Sequence, residues 1–119
     1  MRFNNVCIEA VTCHLPENVV TSEDLENRMA PLYERLKLSV GRLELMSGIR
    51  ERRFWDEGVL PSEVGAIAGE RAIEKSGIDR SRIGCLISAS VCRDFLEPAT
   101  ASVVHNKLRL PGTAQVFDI

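Results

Sequence analysis

Ile83-Gly84-Cys85-Leu86-Ile87-Ser88-Ala89-Ser90-Val91 is the stretch on which the fold turns. Its apolar residues do not alternate with polar ones as in a half-exposed strand, and the run is too short for a buried helix. A continuous apolar run of this length is what a parallel strand covered on both faces shows. Upstream, Pro61-Ser62-Glu63 opens the strongest helix of the chain. Val64, Ile67, Ala68, Arg71, Ala72 and Ile73 recur there at helical spacing, and Gly77 supplies the stop. Downstream, the polar loop Arg93-Asp94-Phe95-Leu96-Glu97 leads to Pro98 and a helix reaching about Leu108. Gln115-Val116-Phe117-Asp118-Ile119 then reads as another strand. A helix between two apolar strands implies a right-handed crossover, so the expected class is α/β with a mostly parallel sheet and crossover helices.

The N-terminal half adds a strand and two helices. Phe3 to Leu15 reads as a strand with Val6, Ile8, Ala10 and Thr12 on one face and Cys7, Glu9, Val11 and Cys13 on the other. It ends at the breaker His14-Leu15-Pro16-Glu17-Asn18. Thr21-Ser22-Glu23-Asp24-Leu25 marks a helix start with Thr21 as N-cap, and Pro31 opens a second helical segment through Leu38. Met46-Ser47-Gly48-Ile49-Arg50-Glu51-Arg52-Arg53-Phe54-Trp55 reads as a turn followed by an extended, charged stretch.

Composition narrows the function classes. A chain of 119 residues, 45% hydrophobic and 27% charged, has the length of one compact domain and should fold around a core. Fifteen Lys and Arg against seventeen Asp and Glu leave a net charge of -2, which argues against a dedicated nucleic-acid binder. No apolar stretch reaches the length of a membrane span, and Met1-Arg2-Phe3-Asn4 leads into no signal-peptide core, so a cytoplasmic protein is expected. Cys7, Cys13, Cys85 and Cys92 include no C-x-x-C pair and no zinc-knuckle spacing. In apolar stretches they are expected to be free thiols behaving as small hydrophobes. No metal-ligand cluster, phosphate-cradling Gly-rich loop or Ser-His-Asp arrangement is present in the sequence.

A resemblance now emerges from motifs in order. Leu15-Pro16-Glu17, Thr21-Ser22-Glu23-Asp24-Leu25-Glu26 and Ser47-Gly48-Ile49-Arg50-Glu51-Arg52-Arg53 resemble the start of a β-ketoacyl-acyl-carrier-protein synthase III. So do Gly77-Ile78-Asp79, Leu86-Ile87-Ser88-Ala89-Ser90, Pro98-Ala99-Thr100-Ala101 and Phe117-Asp118-Ile119. The resemblance spans residues 1–119 and implies the first third of a thiolase-superfamily condensing domain with an αβαβα fold. It implies no bound cofactor; the substrates are fatty acyl-CoA or acyl carrier protein thioesters, and the enzyme is a homodimer. In that family Phe-Asp-Ile is followed within a few residues by the nucleophilic cysteine at a helix N-terminus, where the dipole favours a thiolate. The sequence stops before that position, and none of its four cysteines matches it. A piece of something longer is therefore expected, and the isolated chain is expected to be inactive alone.

Ser90-Val91-Cys92-Arg93-Asp94-Phe95-Leu96-Glu97-Pro98-Ala99-Thr100-Ala101-Ser102, with Trp55-Asp56, is most similar to the OleA-type subgroup. Those enzymes join two fatty acyl-CoA thioesters head to head in olefin biosynthesis. In them the glutamate of Leu-Glu-Pro reaches into the partner's active site. The chemistry gives that glutamate a purpose. A malonyl donor forms its carbanion by losing CO2, whereas a plain acyl-CoA needs a base to remove its α-proton. Desolvation in an acyl pocket raises a carboxylate's pKa and makes it a better base. Glu97 suits that role. The residues by themselves favour another role for it, capping of the helix begun at Pro98, where negative charge is favoured.

Arg42, Arg50, Arg52 and Arg53 offer guanidinium groups to the phosphates of CoA, with Arg42, Arg50 and Arg53 the candidate binding set. Alternating charges on a solvated strand would look the same. Arg42 and Met46 stand where synthase III enzymes place the Trp and Arg that sandwich adenine, so that sandwich is not carried over. Phe54 and Trp55 read as packing residues. His14, His105 and Cys92 match no catalytic position, Arg93 and Asp94 read as a local salt bridge, and Asp118 reads as structural, holding the turn that would present the nucleophilic cysteine. Two alternatives stay open beside the non-decarboxylative enzyme: a decarboxylative synthase III using malonyl-acyl carrier protein, and a non-catalytic complementing subunit.

Overall fold

A computed structural model describes residues 4–119, and the chain divides into two compact units: the residues up to His14 with Gly58–Ile119, and Leu15–Glu57. Phe3, the expected start of the first strand, lies outside the described residues.

The Leu15–Glu57 unit pairs strand β1 (Asn18–Thr21) antiparallel with β2 (Glu51–Phe54), with Val20 opposite Arg52 and Val19 opposite Arg53. Three short helices lie between them: α1 (Ser22–Arg28), α2 (Ala30–Leu36) and α3 (Arg42–Ser47). The N-terminus of α1 is closed locally. Thr21 Oγ1 accepts from Asp24 N–H at 3.0 Å, and Thr21 N–H donates to the Asp24 carboxylate at 2.9 Å. Pro31 sits in the first turn of α2, where its missing N–H costs no hydrogen bond.

The other unit contains α4 (Pro61–Ser76), a short 3-10 turn (Arg80–Arg82), β3 (Cys85–Ser88), α5 (Thr100–Lys107) and β4 (Gln115–Asp118). Strands β3 and β4 are parallel neighbours, in register Leu86 to Val116 and Ser88 to Asp118. Val104, Leu108 and Leu110 form its buried core, with Ala66, Ile73, Ile83 and Leu86 packed against them. Gly65 and Gly69 of α4 let α5 approach closely: a Cβ on Gly65 would sit 3.6 Å from Val104 Cγ2, and one on Gly69 only 2.9 Å from Leu108 Cδ1.

The sheets correct the expected pattern. They are two two-stranded pieces, one antiparallel and one parallel, rather than a mostly parallel sheet. The described part of the Phe3–Leu15 stretch forms no strand and has no ladder partner among the described residues. Its backbone oxygens are met by side chains of α4 instead: Lys75 Nζ donates to Val11 O at 3.1 Å and Arg71 Nη1 to Cys13 O at 2.9 Å. Thr12 Oγ1 donates to Ala68 O at 2.9 Å. Strand β3 is covered on one face only. Leu86 and Ser88 are half-buried, while Ile87 is exposed beside Phe117 of β4. All four cysteines are free and exposed, not buried as small hydrophobes. No helix among the described residues is long and apolar enough to cross a membrane.

Candidate functional site

In the unit that contains it, Glu97 belongs to the loop that leaves the carboxyl end of β3 and returns to the N-terminus of α5. The crevice outside the carboxyl ends of parallel strands is where open α/β sheets bind ligands. The β-type contacts run on past Ser88, since Ile119 N–H donates to Ser88 O at 2.9 Å and Ser90 N–H to Ile119 O at 3.2 Å. Beyond that the loop turns outward, and Val91, Phe95, Leu96 and Glu97 are exposed. The Glu97–Pro98 peptide is cis.

The loop is tied at both ends. Asp94 Oδ1 accepts the Ser62 N–H, 2.9 Å away at the N-terminus of α4. The Asp94 N–H donates in turn to Thr100 Oγ1 at 3.4 Å. Past the loop, the two carboxylate oxygens of Asp118 on β4 accept the N–H groups of Thr100 at 2.8 Å and Ala101 at 2.7 Å. Asp94 thus faces a helix start rather than forming the expected pair with Arg93. Helix α5 begins at Thr100, not at Pro98, and Asp118 occupies its first N–H groups. The capping role open to Glu97 is therefore filled by another carboxylate.

A third carboxylate works the same way in the Leu15–Glu57 unit. Glu26 of α1 is 4% exposed and accepts the Gly41 N–H at 2.7 Å, the Leu43 N–H at 2.6 Å and the Tyr33 hydroxyl at 3.0 Å. Gly41 is the N-cap of α3 at φ 81°, a left-handed conformation that suits glycine. The Leu43 and Gly41 N–H groups hold the Glu26 carboxyl below the ordinary carboxylate range, against the opposing effect of burial.

The arginines do not form one cluster. Arg53 Nη1 donates to the backbone oxygens of Pro16 at 3.1 Å and Glu17 at 3.4 Å, which holds the turn before β1. Arg52, on the opposite face of β2, donates through Nη2 to Ser22 Oγ at 3.0 Å. Arg42 opens α3, and Arg50 precedes β2; both are exposed. His105 Nε2 lies 3.0 Å from Pro111 O, in the α5–β4 connection. No group of three or more His, Cys, Asp or Glu suited to a metal ion occurs among the described residues.

No protein-family profile matches the chain. Whole-sequence and structural comparisons do find relatives. An acyl-CoA:acyl-CoA alkyltransferase of Shewanella oneidensis is 36% identical over 119 residues, the whole of this chain and 34% of its own length. Its counterpart in Xanthomonas campestris is 35% identical over the same span, 35% of its length. A crystal structure of Xanthomonas campestris OleA superposes with a TM-score of 0.88 at 34% identity, covering 100% of this chain and 36% of that one. A cerulenin-bound form superposes with a TM-score of 0.88 at 35% identity, covering 98% and 34%. The OleA structures include variants in which one glutamate is replaced by aspartate, glutamine or alanine. The chain spans about a third of the length of the curated relatives it matches.

Proposed function

Because this chain is homologous to the N-terminal third of the acyl-CoA:acyl-CoA alkyltransferase OleA, we propose that it is part of an acyltransferase that condenses two fatty acyl-CoA thioesters without decarboxylation. One observation carries the assignment of Glu97 as the base. Its loop is fixed at both ends, yet its carboxylate is not used as the helix cap, because Asp118 already serves α5. A carboxylate left exposed on a tethered loop is available to a substrate.

In the proposed reaction a cysteine thiolate attacks the first acyl-CoA and CoA leaves, giving an enzyme thioester. Glu97 removes the α-proton of a second acyl-CoA. The resulting carbanion attacks the enzyme thioester carbonyl, a carbon–carbon bond forms, and the C–S bond breaks to restore the thiolate. The product is a β-ketoacyl-CoA carrying both chains. Leu96, 86% exposed, together with Val91 and Phe95, gives the Glu97 loop an apolar surface. That surface suits seating in the acyl pocket of a second copy. Arg42, Arg50 and Arg53 are the proposed partners of the CoA phosphates, Arg53 with its guanidinium partly committed to Pro16 and Glu17.

The test is Glu97→Gln in the natural gene product supplied with acyl-CoA alone. Loss of the condensed product with continued acylation of the enzyme thiol supports the assignment; undiminished product sinks it.

A further inference from the structure

We infer that Asp94 and Asp118 are positioning residues that hold the Glu97 carboxylate in its working place. The inference rests on the base assignment above. Glu97 lies midway between Asp94 and Thr100, and the Asp94 N–H to Thr100 Oγ1 bond closes the intervening loop on itself. Two carboxylates, one in the loop and one on β4, tie that closure to the starts of two helices. Asp94 binds the N-terminus of α4 through Ser62, and Asp118 binds the N-terminus of α5 through Thr100 and Ala101. The anchor points are buried: Ser62 and Ala101 are 0% exposed and Thr100 is 3%. The residues they hold up, Phe95 to Pro98, are exposed and contribute nothing to the core.

The anchoring has a cost that the loop's own packing does not explain. Asp94 Oδ2 and Ser62 Oγ are buried without a hydrogen-bond partner. An unsatisfied buried acceptor is unfavourable, and a surface loop has no need of one to fold. Helix dipoles offset part of the cost, since negative charge is favoured at helix N-termini. What the arrangement achieves is a short closed loop whose two ends are fixed at the starts of two helices. A general base misplaced by about 1 Å can lose about a hundredfold in rate, so such fixing bears directly on proton abstraction.

Asp94→Ala, Thr100→Val and the milder Asp118→Asn, made in the natural gene product, test the inference by three readouts. Condensation of acyl-CoA should fall about tenfold or more, while acyl transfer to the enzyme thiol stays within about twofold in Asp94→Ala and Thr100→Val, whose sites lie apart in sequence from the nucleophile. Amide exchange at Phe95, Leu96 and Glu97 should accelerate. Combined with Glu97→Gln, the same changes should add no further loss to the residual rate, because both act through one carboxylate. Unchanged exchange in all three variants overturns the anchoring. Equal losses in both half-reactions, or losses additive with Glu97→Gln, overturn the positioning role and leave only a folding role. If Glu97→Gln alone keeps full condensation, the base assignment fails, and with it the positioning role. Faster exchange in the anchor variants would then identify the ties as purely structural, so the two failures are distinguishable.

Discussion

The Glu26 carboxylate on α1 accepts the Leu43 backbone N–H on α3 at 2.6 Å, and this contact is one of three of the same kind. Glu26 closes the start of α3, Asp94 that of α4 and Asp118 that of α5, each from a different element. Every helix start leaves N–H groups without intrahelical partners. Here three starts are met by acids brought in by the tertiary fold, while α1 is closed by its own neighbours and α4 also by Glu63, which accepts the Leu60 N–H at 3.1 Å. The acids therefore fix the order and spacing of elements as well as the helices themselves.

Glu26 makes the Leu15–Glu57 unit sensitive to acid. Its folded-state pKa is depressed by the Leu43 and Gly41 N–H groups. Its contribution to stability is full above the ordinary carboxylate pKa of about 4.3 and is lost as pH falls from there through the lowered folded value. Amide protection at Gly41 and Leu43, corrected for intrinsic exchange, should decline over that window. Glu26→Gln should show the same loss already at neutral pH. Protection indifferent to both changes would contradict the clamp.

The α4–α5 contact predicts opposite behaviour for two glycines. Gly65→Ala meets only ordinary contact at Val104 and gains helix propensity, so stability should rise by about 0.5–1 kcal/mol. Gly69→Ala pushes on Leu108 and should gain less or lose. Denaturant midpoints of the two variants decide the order, and the reverse order would contradict the packing.

Leu108 is 3% exposed at the centre of the core, beside Val104 and Leu110. Leu108→Ala should cost about 2–5 kcal/mol. A cost under about 1 kcal/mol in chemical denaturation would mean that this core is not what holds α5 in place.

The arginines separate binding from chemistry. Arg42→Ala and Arg50→Ala should raise KM severalfold for acyl-CoA and leave it unchanged for a thioester lacking the nucleotide, because charge-assisted contacts to phosphate are lost only with the former. Equal effects on both thioesters would remove these residues from phosphate binding.

Features governed by near neighbours were legible in the sequence. Thr21 with Asp24, Pro61 at the start of α4, and Gly77 as its stop all stand where their spacing puts them, although Ile67 of the expected apolar row is exposed and Ala66 packs on the core with Ile73. The two apolar runs around Leu86 and Val116 become the parallel pair, though shorter than their apolar stretches. What depended on remote partners was not legible. Asn18 looked like part of a breaker but begins β1, because β2 offers it a ladder through Phe54. Met46-Ser47 reads as the opening of a turn but ends helix α3, whose start is completed by Glu26 from another helix. The described part of the Phe3–Leu15 stretch has the composition of a strand, but ladder bonds require a neighbour, and its oxygens find α4 side chains instead. For Glu97, the residues alone favour a cap and the resemblance favours a base. Asp118 takes the Thr100 and Ala101 N–H groups at that helix start, and no local pattern announces those bonds.

The most direct test is the product formed by the natural gene product from fatty acyl-CoA as sole thioester, for the native protein and for Glu97→Gln, read by mass spectrometry. The account predicts a β-ketoacyl product carrying two acyl chains that disappears in Glu97→Gln while the enzyme thiol still becomes acylated. A product that requires a malonyl donor, or one that persists undiminished in Glu97→Gln, would contradict it.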